Sequence, residues 1–335
     1  MSTESSAPAV RGGPSRRLRA LRRYGTLVGL LAIIGVFWTL RPDTFMTIGN
    51  WLNITQQVSI LAVVAFTSTV VMVTGAFDLS VGTLASLSGM IAAGLMQAGY
   101  PIPVAIIVAL AAAAAAGVLN GLLVAYLRIV PFVATLGTLT MFGGFALLVS
   151  GGSTIYGRAI PSAFGSFGRG GIPLGTFDGR AVLLPNLTLV AAGVLLATWV
   201  LLEHTTYGRR LYATGGNVVA ARLAGLRVRR LVLGAFMVNG IGAGIGGLML
   251  TSRLASANPT QGDGLMLNAI AAVFLGVTLS EEGEPRVLGT LVGVLILGVL
   301  ANGLTQLQID TYVQQVLTGA IVVAAVAFGS VSKRG

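Results

Sequence analysis

Few residues in this sequence could do chemistry. Its 335 residues include ten Asp and Glu, one His and no Cys. Without cysteine there is neither a disulfide framework nor a thiolate ligand, and His204 alone cannot build a histidine zinc cluster. His204 stands beside a basic stretch with no catalytic constellation in sequence, which suits topology or docking rather than catalysis. The single lysine, Lys333, lies in the tail and outside any GxxxxGKS/T phosphate loop, so the chain is not its own conventional ATPase. No catalytic, cofactor-binding or metal-ligating residue is assigned. The acidic residue expected at membrane depth is Asp78, in Gly75-Ala76-Phe77-Asp78-Leu79-Ser80-Val81-Gly82. It could bind a substrate hydroxyl, or accept backbone N–H groups as a cap to the apolar run that follows.

The elements that must position these residues are membrane helices. The chain is 55% hydrophobic and 9% charged, against roughly 25% charge in soluble domains. Apolar segments fall at about 24–40, 58–75, 79–98, 102–127, 130–150, 182–202, 231–250, 265–280, 287–304 and 312–330. The expected fold is all-α and polytopic, with about ten transmembrane helices, some short or broken. Residues 58–75 and 265–280 are the short segments. Thr47–Gln57 reads as an interfacial turn or short helix, and Gly151–Arg180 as an external loop.

Residues 1–23 read as a disordered basic N-terminus, 24–330 as one transmembrane domain with a loop at 203–230, and 331–335 as a tail. The net charge of +11 is not gathered on a folded polar domain, which argues against nucleic-acid binding. Instead, arginines concentrate before the first span and at 209, 210, 222, 227, 229 and 230. Cytoplasmic loops carry the excess of Lys and Arg, so both regions and both termini are expected inside. Only Arg41, Arg158, Arg169, Arg180 and Arg253 then fall outside.

Small residues recur four apart across Asn239–Gly247 and again at Gly289 and Gly293, the spacing of closely packed membrane helices. In the inner loop a compact helix is bracketed by Asn217, which can cap its start, and Gly225, which can close its end. Val218, Val219, Ala220, Ala221, Arg222, Leu223 and Ala224 lie between them. So short a helix is unstable alone and needs a surface to pack against. Ala221 is expected on its apolar docking face, with Arg209, Arg210 and Arg222 as charged contacts around it.

With that loop in place, the sequence resembles the permease subunits of ATP-binding-cassette importers for ribose, xylose, arabinose and related small carbohydrates. The resemblance covers residues 45–330 and rests on Gly75–Gly82, Pro131-Phe132-Val133-Ala134-Thr135-Leu136-Gly137-Thr138, the Tyr207–Gly225 loop and Asn268-Ala269-Ile270-Ala271-Ala272-Val273-Phe274-Leu275-Gly276. It implies a homodimer in the bacterial plasma (inner) membrane, a pair of cytoplasmic ATPase domains carrying ATP and Mg, and an extracytoplasmic substrate-binding protein. Asn217–Gly225 would be the coupling helix that enters a groove on the ATPase. For a sugar, aromatic faces and polar groups along the path would include Phe66, Thr69, Phe77, Asp78, Phe132, Thr135, Asn239, Asn268 and Asn302. The sequence departs from the family at Met266, where an acidic residue is common, and at Glu281-Glu282-Gly283-Glu284, where a glycine-rich turn is common. The alternatives are an importer of branched-chain amino acids, which has the same architecture, and an ion-coupled sugar carrier. The latter would need intramembrane ionisable groups that are nearly lacking here.

Overall fold

A computed structural model describes residues 16–177, 180–280, 283–320 and 323. Helix α1 (Arg16–Leu40) starts before the apolar run. Residues 16–23, expected to be disordered, are thus helical, since their Arg, Leu and Ala are good helix formers. The glutamates at 281 and 282 and the 331–335 tail lie outside the described residues.

A short α2 (Pro42–Phe45) leads to α3 (Ile48–Met72), whose N-cap Thr47 accepts the Asn50 N–H at 3.2 Å. The stretch read as an interfacial turn is therefore the beginning of a full-length span, because Trp51, Asn53, Gln56 and Gln57 are carried on a properly capped helix. There follow α4 (Val81–Gln97), α5 (Ile102–Ala125) and α6 (Pro131–Ser150). The next region holds β1 (Ile155–Tyr156), α7 (Ser162–Arg169), β2 (Gly171–Phe177) and β3 (Arg180–Pro185). Then come α8 (Asn186–Trp199), prolonged by a π-turn at Val200–His204, α9 (Thr206–Gly216), α10 (Val218–Leu223) and α11 (Val228–Leu254). The order ends with β4 (Ser256–Ala257), α12 (Asp263–Val277) and α13 (Val287–Gln306). Residues 311–320 are helical and coincide with the start of the expected last span.

Among the described residues, α3, α5, α6, α8 with its π-turn, α11 and α13 are long and apolar enough to cross a bilayer. Thr26–Leu40 of α1, α4 and α12 are shorter apolar helices. The short elements are thus α4 and α12, whereas α3 gains its length from the polar residues before 58. The apolar window of α3 is 78% buried within the chain and that of α8 only 22%, so α3 is central and α8 peripheral.

Helix α11 is the hub, packed on α5, α4 and α3. Its glycines make this possible. A Cβ on Gly240 would strike the Ala113 carbonyl of α5, one on Gly242 the Thr67 side chain of α3, and one on Gly247 the Ala85 carbonyl of α4. Successive small residues thus admit three different neighbours, which is how membrane helices gain packing where lipid supplies no hydrophobic drive. Gly289 and Gly293 do the same on α13, meeting Gly276 and Ala272 of α12. Outside the helical bundle, β1 pairs antiparallel with β4 through Ile155 and Ala257, fastening the 151–180 region to the end of α11. Strands β2 and β3 form a bulged hairpin.

Candidate functional site

Asp78 lies in the break between α3 and α4, buried, and it does both local and long-range work. Its Oδ1 accepts the Ser80 backbone N–H at 2.9 Å and the Ser80 hydroxyl at 2.6 Å, an Asx-type turn that leads into α4. Its Oδ2 accepts from Asn239 Nδ2 of α11 at 3.0 Å. Asn120 of α5 donates to Ser80 Oγ at 2.8 Å and, at 3.4 Å, to Asp78 Oδ1. Ser68 of α3 donates to Asn239 Oδ1 at 3.1 Å. One buried carboxylate thus gathers α3, α4, α5 and α11 at a single knot. Burying it is tolerable only because several donors surround it.

The nine residues proposed for the path separate into two groups. Phe66, Thr69, Thr135, Asn239 and Asn302 are buried with Asp78. Thr69 shares a 2.8 Å hydrogen bond with Thr290 of α13, Thr135 donates to the Pro131 carbonyl at 2.8 Å, and Asn302 accepts from Gln306 at 3.1 Å. These are helix contacts made within the chain. Phe77, Phe132 and Asn268 are exposed. Phe77 stands 5.9 Å from Phe274 between ring centroids, and Phe274 shares α12 with Asn268. The break before α4 therefore presents the exposed Phe77 ring against a half-buried Phe274, and α12 presents an exposed amide at Asn268. Phe274 was missed in the sequence because it reads as one apolar residue in an apolar run.

The inner loop holds two helices rather than one. Thr205 caps α9, its Oγ1 accepting the Gly208 N–H at 3.1 Å. Gly215 and Gly216 form the last turn of α9, with Gly215 pressed against the Val73 carbonyl at the end of α3. Tyr212 of α9 places its hydroxyl 3.1 Å from both Glu203 Oε1 and the Pro285 carbonyl, linking the foot of α8 to the segment before α13. Arg286 stands 3.9 Å from Glu203 in the same group. Burial, reinforced by Glu203, raises the Tyr212 pKa above the ordinary phenol value, so the hydroxyl keeps its proton to donate. Burial likewise pushes Tyr207 up to about 12, and its hydroxyl donates to the Leu231 carbonyl at 3.0 Å.

Helix α10 is closed at both ends as its sequence implies. Asn217 Oδ1 accepts the Val219 and Ala220 N–H groups at 3.0 and 2.9 Å. Gly225 has φ +81°, and the Gly225 and Leu226 N–H groups return to the Arg222 and Ala221 carbonyls at 3.0 and 3.1 Å. That is a Schellman closure, which requires the left-handed residue glycine supplies. Ala221, expected on the docking face, is buried, because it lies on the side of α10 turned toward the chain. Val219 and Leu223, one turn apart, are 66% and 84% exposed. Arg209 and Arg222 are exposed nearby, whereas Arg210 lines a separate cavity with Arg227 and Arg230.

Residues 50–326 match the family model described as branched-chain amino acid transport system / permease component. The chain is 40% identical to the ribose import permease of Bacillus subtilis, over 91% of this chain and 92% of the relative. It is 39% identical to the ribose import permease of Escherichia coli K12, covering 91% and 93%. Against the D-allose transport system permease of the same strain identity is 34%, covering 91% and 90%. No solved structure matches. A match of this extent, over a bundle of apolar helices of membrane-spanning length, makes the chain a multi-pass membrane protein that belongs to the branched-chain amino acid transport system permease component family.

Proposed function

We propose that the chain is the membrane-spanning permease subunit of an ATP-driven importer for a small carbohydrate, set in a bacterial inner membrane with both termini cytoplasmic. The carbohydrate reading is supported by relatives named for ribose, D-allose and galactose import. Although the family description names branched-chain amino acids, those full-length relatives favour sugar.

The observation that carries the energy-coupling part is α10. It is a helix of six residues, built by its own caps, that holds Val219 and Leu223 out to solvent between the spans α8 and α11. An exposed apolar pair on a preformed element is a surface for a partner. The partner is a cytoplasmic ATPase, one of two that carry ATP and Mg, with Arg209 and Arg222 as flanking charges. Force applied to α10 reaches the spans through α9, whose Gly215 touches the end of α3 and whose Tyr212 touches the segment before α13.

A second copy of the chain completes the pathway, and an extracytoplasmic binding protein delivers the sugar. ATP binding closes the ATPase pair, α10 transmits the closure, and the pathway between the two copies changes the side to which it opens. The sugar itself undergoes no covalent change, so the chain is a transport subunit and not an enzyme. Phe77, Phe274 and Asn268 are the surface over which the sugar passes, the rings covering C–H faces and the amide meeting hydroxyls.

The test is uptake into sealed vesicles containing the permease, its ATPase and its binding protein. Accumulation of a pentose or hexose that requires ATP is expected. Accumulation by the permease alone, driven by a sodium or proton gradient, would overturn the reading.

A further inference from the structure

A cavity of about 430 Å³ opens at the foot of α11, lined by Tyr207, Arg210, Gly225, Leu226, Arg227, Arg230 and Leu231. Its size falls within the roughly 300–1,000 Å³ of small-molecule sites. Three arginines reach it from three elements: α9, the turn after α10 and α11 itself. All three are exposed, none is in an ion pair among the described residues, and no acidic side chain lines the cavity. Of the neighbouring charges, Glu203 is occupied by Tyr212 and Arg286, and Arg229 lies over the Tyr126 ring at 5.8 Å.

Three unpaired guanidinium groups around one concavity match an anion with several acceptor oxygens, since each fork can give two parallel hydrogen bonds. The foot of a membrane-spanning helix adds the positive end of its dipole. Position narrows the anion further. Helix α11 begins at Val228 and is long and apolar enough to cross the bilayer, so its first turns sit at the headgroup level. Leu226, Leu231 and the Tyr207 ring supply the apolar part of the lining. Val219 and Leu223, the exposed pair given to the ATPase, take no part in it.

We infer that this cavity binds the phosphate headgroup of an anionic phospholipid, pinning α9 and the α10–α11 turn to the membrane surface. The inference depends on where α11 enters the bilayer and not on transport, so its failure is separable from failure of the importer reading.

The experiment is native mass spectrometry of the purified full-length chain titrated with phosphatidylglycerol or phosphatidylcholine of identical acyl chains. Preferential retention of phosphatidylglycerol is expected. Each of Arg210→Gln, Arg227→Gln and Arg230→Gln should weaken that retention on the order of fivefold, while Arg158→Gln, remote in the chain, should leave it unchanged. Equal retention of the two lipids by the wild-type chain would overturn the inference, even if the variants fail to assemble. Displacement of phosphatidylglycerol by millimolar inorganic phosphate would also overturn it, making the site one for a free anion. Loss of phosphatidylglycerol on adding the ATPase would assign the cavity to the protein interface instead.

Discussion

The Asn239 amide of α11 donates to the Asp78 carboxylate at 3.0 Å, tying the glycine-rich hub to the break between α3 and α4. Both residues are buried, so the bond joins elements that can separate only if the knot opens. Removing one partner of a buried hydrogen bond leaves the other unsatisfied at a cost of about 1–3 kcal/mol. Asn239→Ala should lower thermal stability by that order, and a double-mutant cycle with Asp78→Ala should show coupling of similar size. Asp78→Ala should depress uptake of every transported sugar together. Normal thermal stability with loss of one sugar alone would mean direct recognition by Asp78.

The two faces of α10 should respond differently. Val219→Asp and Leu223→Asp put charge on exposed positions, so insertion and melting temperature should hold while ATPase co-purification and uptake fall at least tenfold, the effect of about 1.4 kcal/mol. Ala221→Asp buries an unpaired carboxylate against the chain and should lower the melting temperature first. Asn217→Ala removes a cap worth about 1 kcal/mol and should weaken coupling partially. Co-purification and melting curves on the same preparations separate these outcomes.

The α11 seam gives a third prediction. Gly247→Leu drives a side chain into the Ala85 carbonyl of α4, and overpacking costs about 1–3 kcal/mol. A lowered melting temperature is expected. Gly264→Leu on α12, where an added Cβ meets nothing within 4 Å, should leave it nearly unchanged.

The open surface before α4 and on α12 gives a fourth. Asn268→Ala and Phe77→Ala alter exposed side chains, so assembly and ATPase co-purification should persist while the KM for sugar rises. Unchanged uptake kinetics in both variants would move the pathway elsewhere.

The apolar runs were legible because membrane spans need length and hydropathy, both of which are local in sequence. The caps of α10 were legible for the same reason, since Asn217 and Gly225 act within a few residues of themselves. What could not be read was direction around a helix axis. Ala221 and Leu223 are equally apolar letters, yet one is buried and the other 84% exposed. The bonds of Thr69 to Thr290 and of Asn302 to Gln306 were not legible, because they form only once α3 and α13 are folded. Helix α9 escaped because its Thr and Gly are poor helix formers that mask the one-turn spacing of Tyr207 and Leu211, although Thr205 marks its start. Likewise, nothing local links Tyr212 to Pro285, which lies 73 positions further along the chain.

Because the chain lacks cysteine, Leu223→Cys introduces a unique thiol at a position of α10 that is 84% exposed. Cross-linking of this thiol in inverted membrane vesicles containing the partner ATPase tests the coupling claim directly. The account predicts a covalent permease–ATPase product whose yield changes with ATP, and labelling of the thiol by impermeant reagents only from the cytoplasmic side. Labelling from the outer side, or ATP-driven uptake with no cross-link to the ATPase, would contradict it.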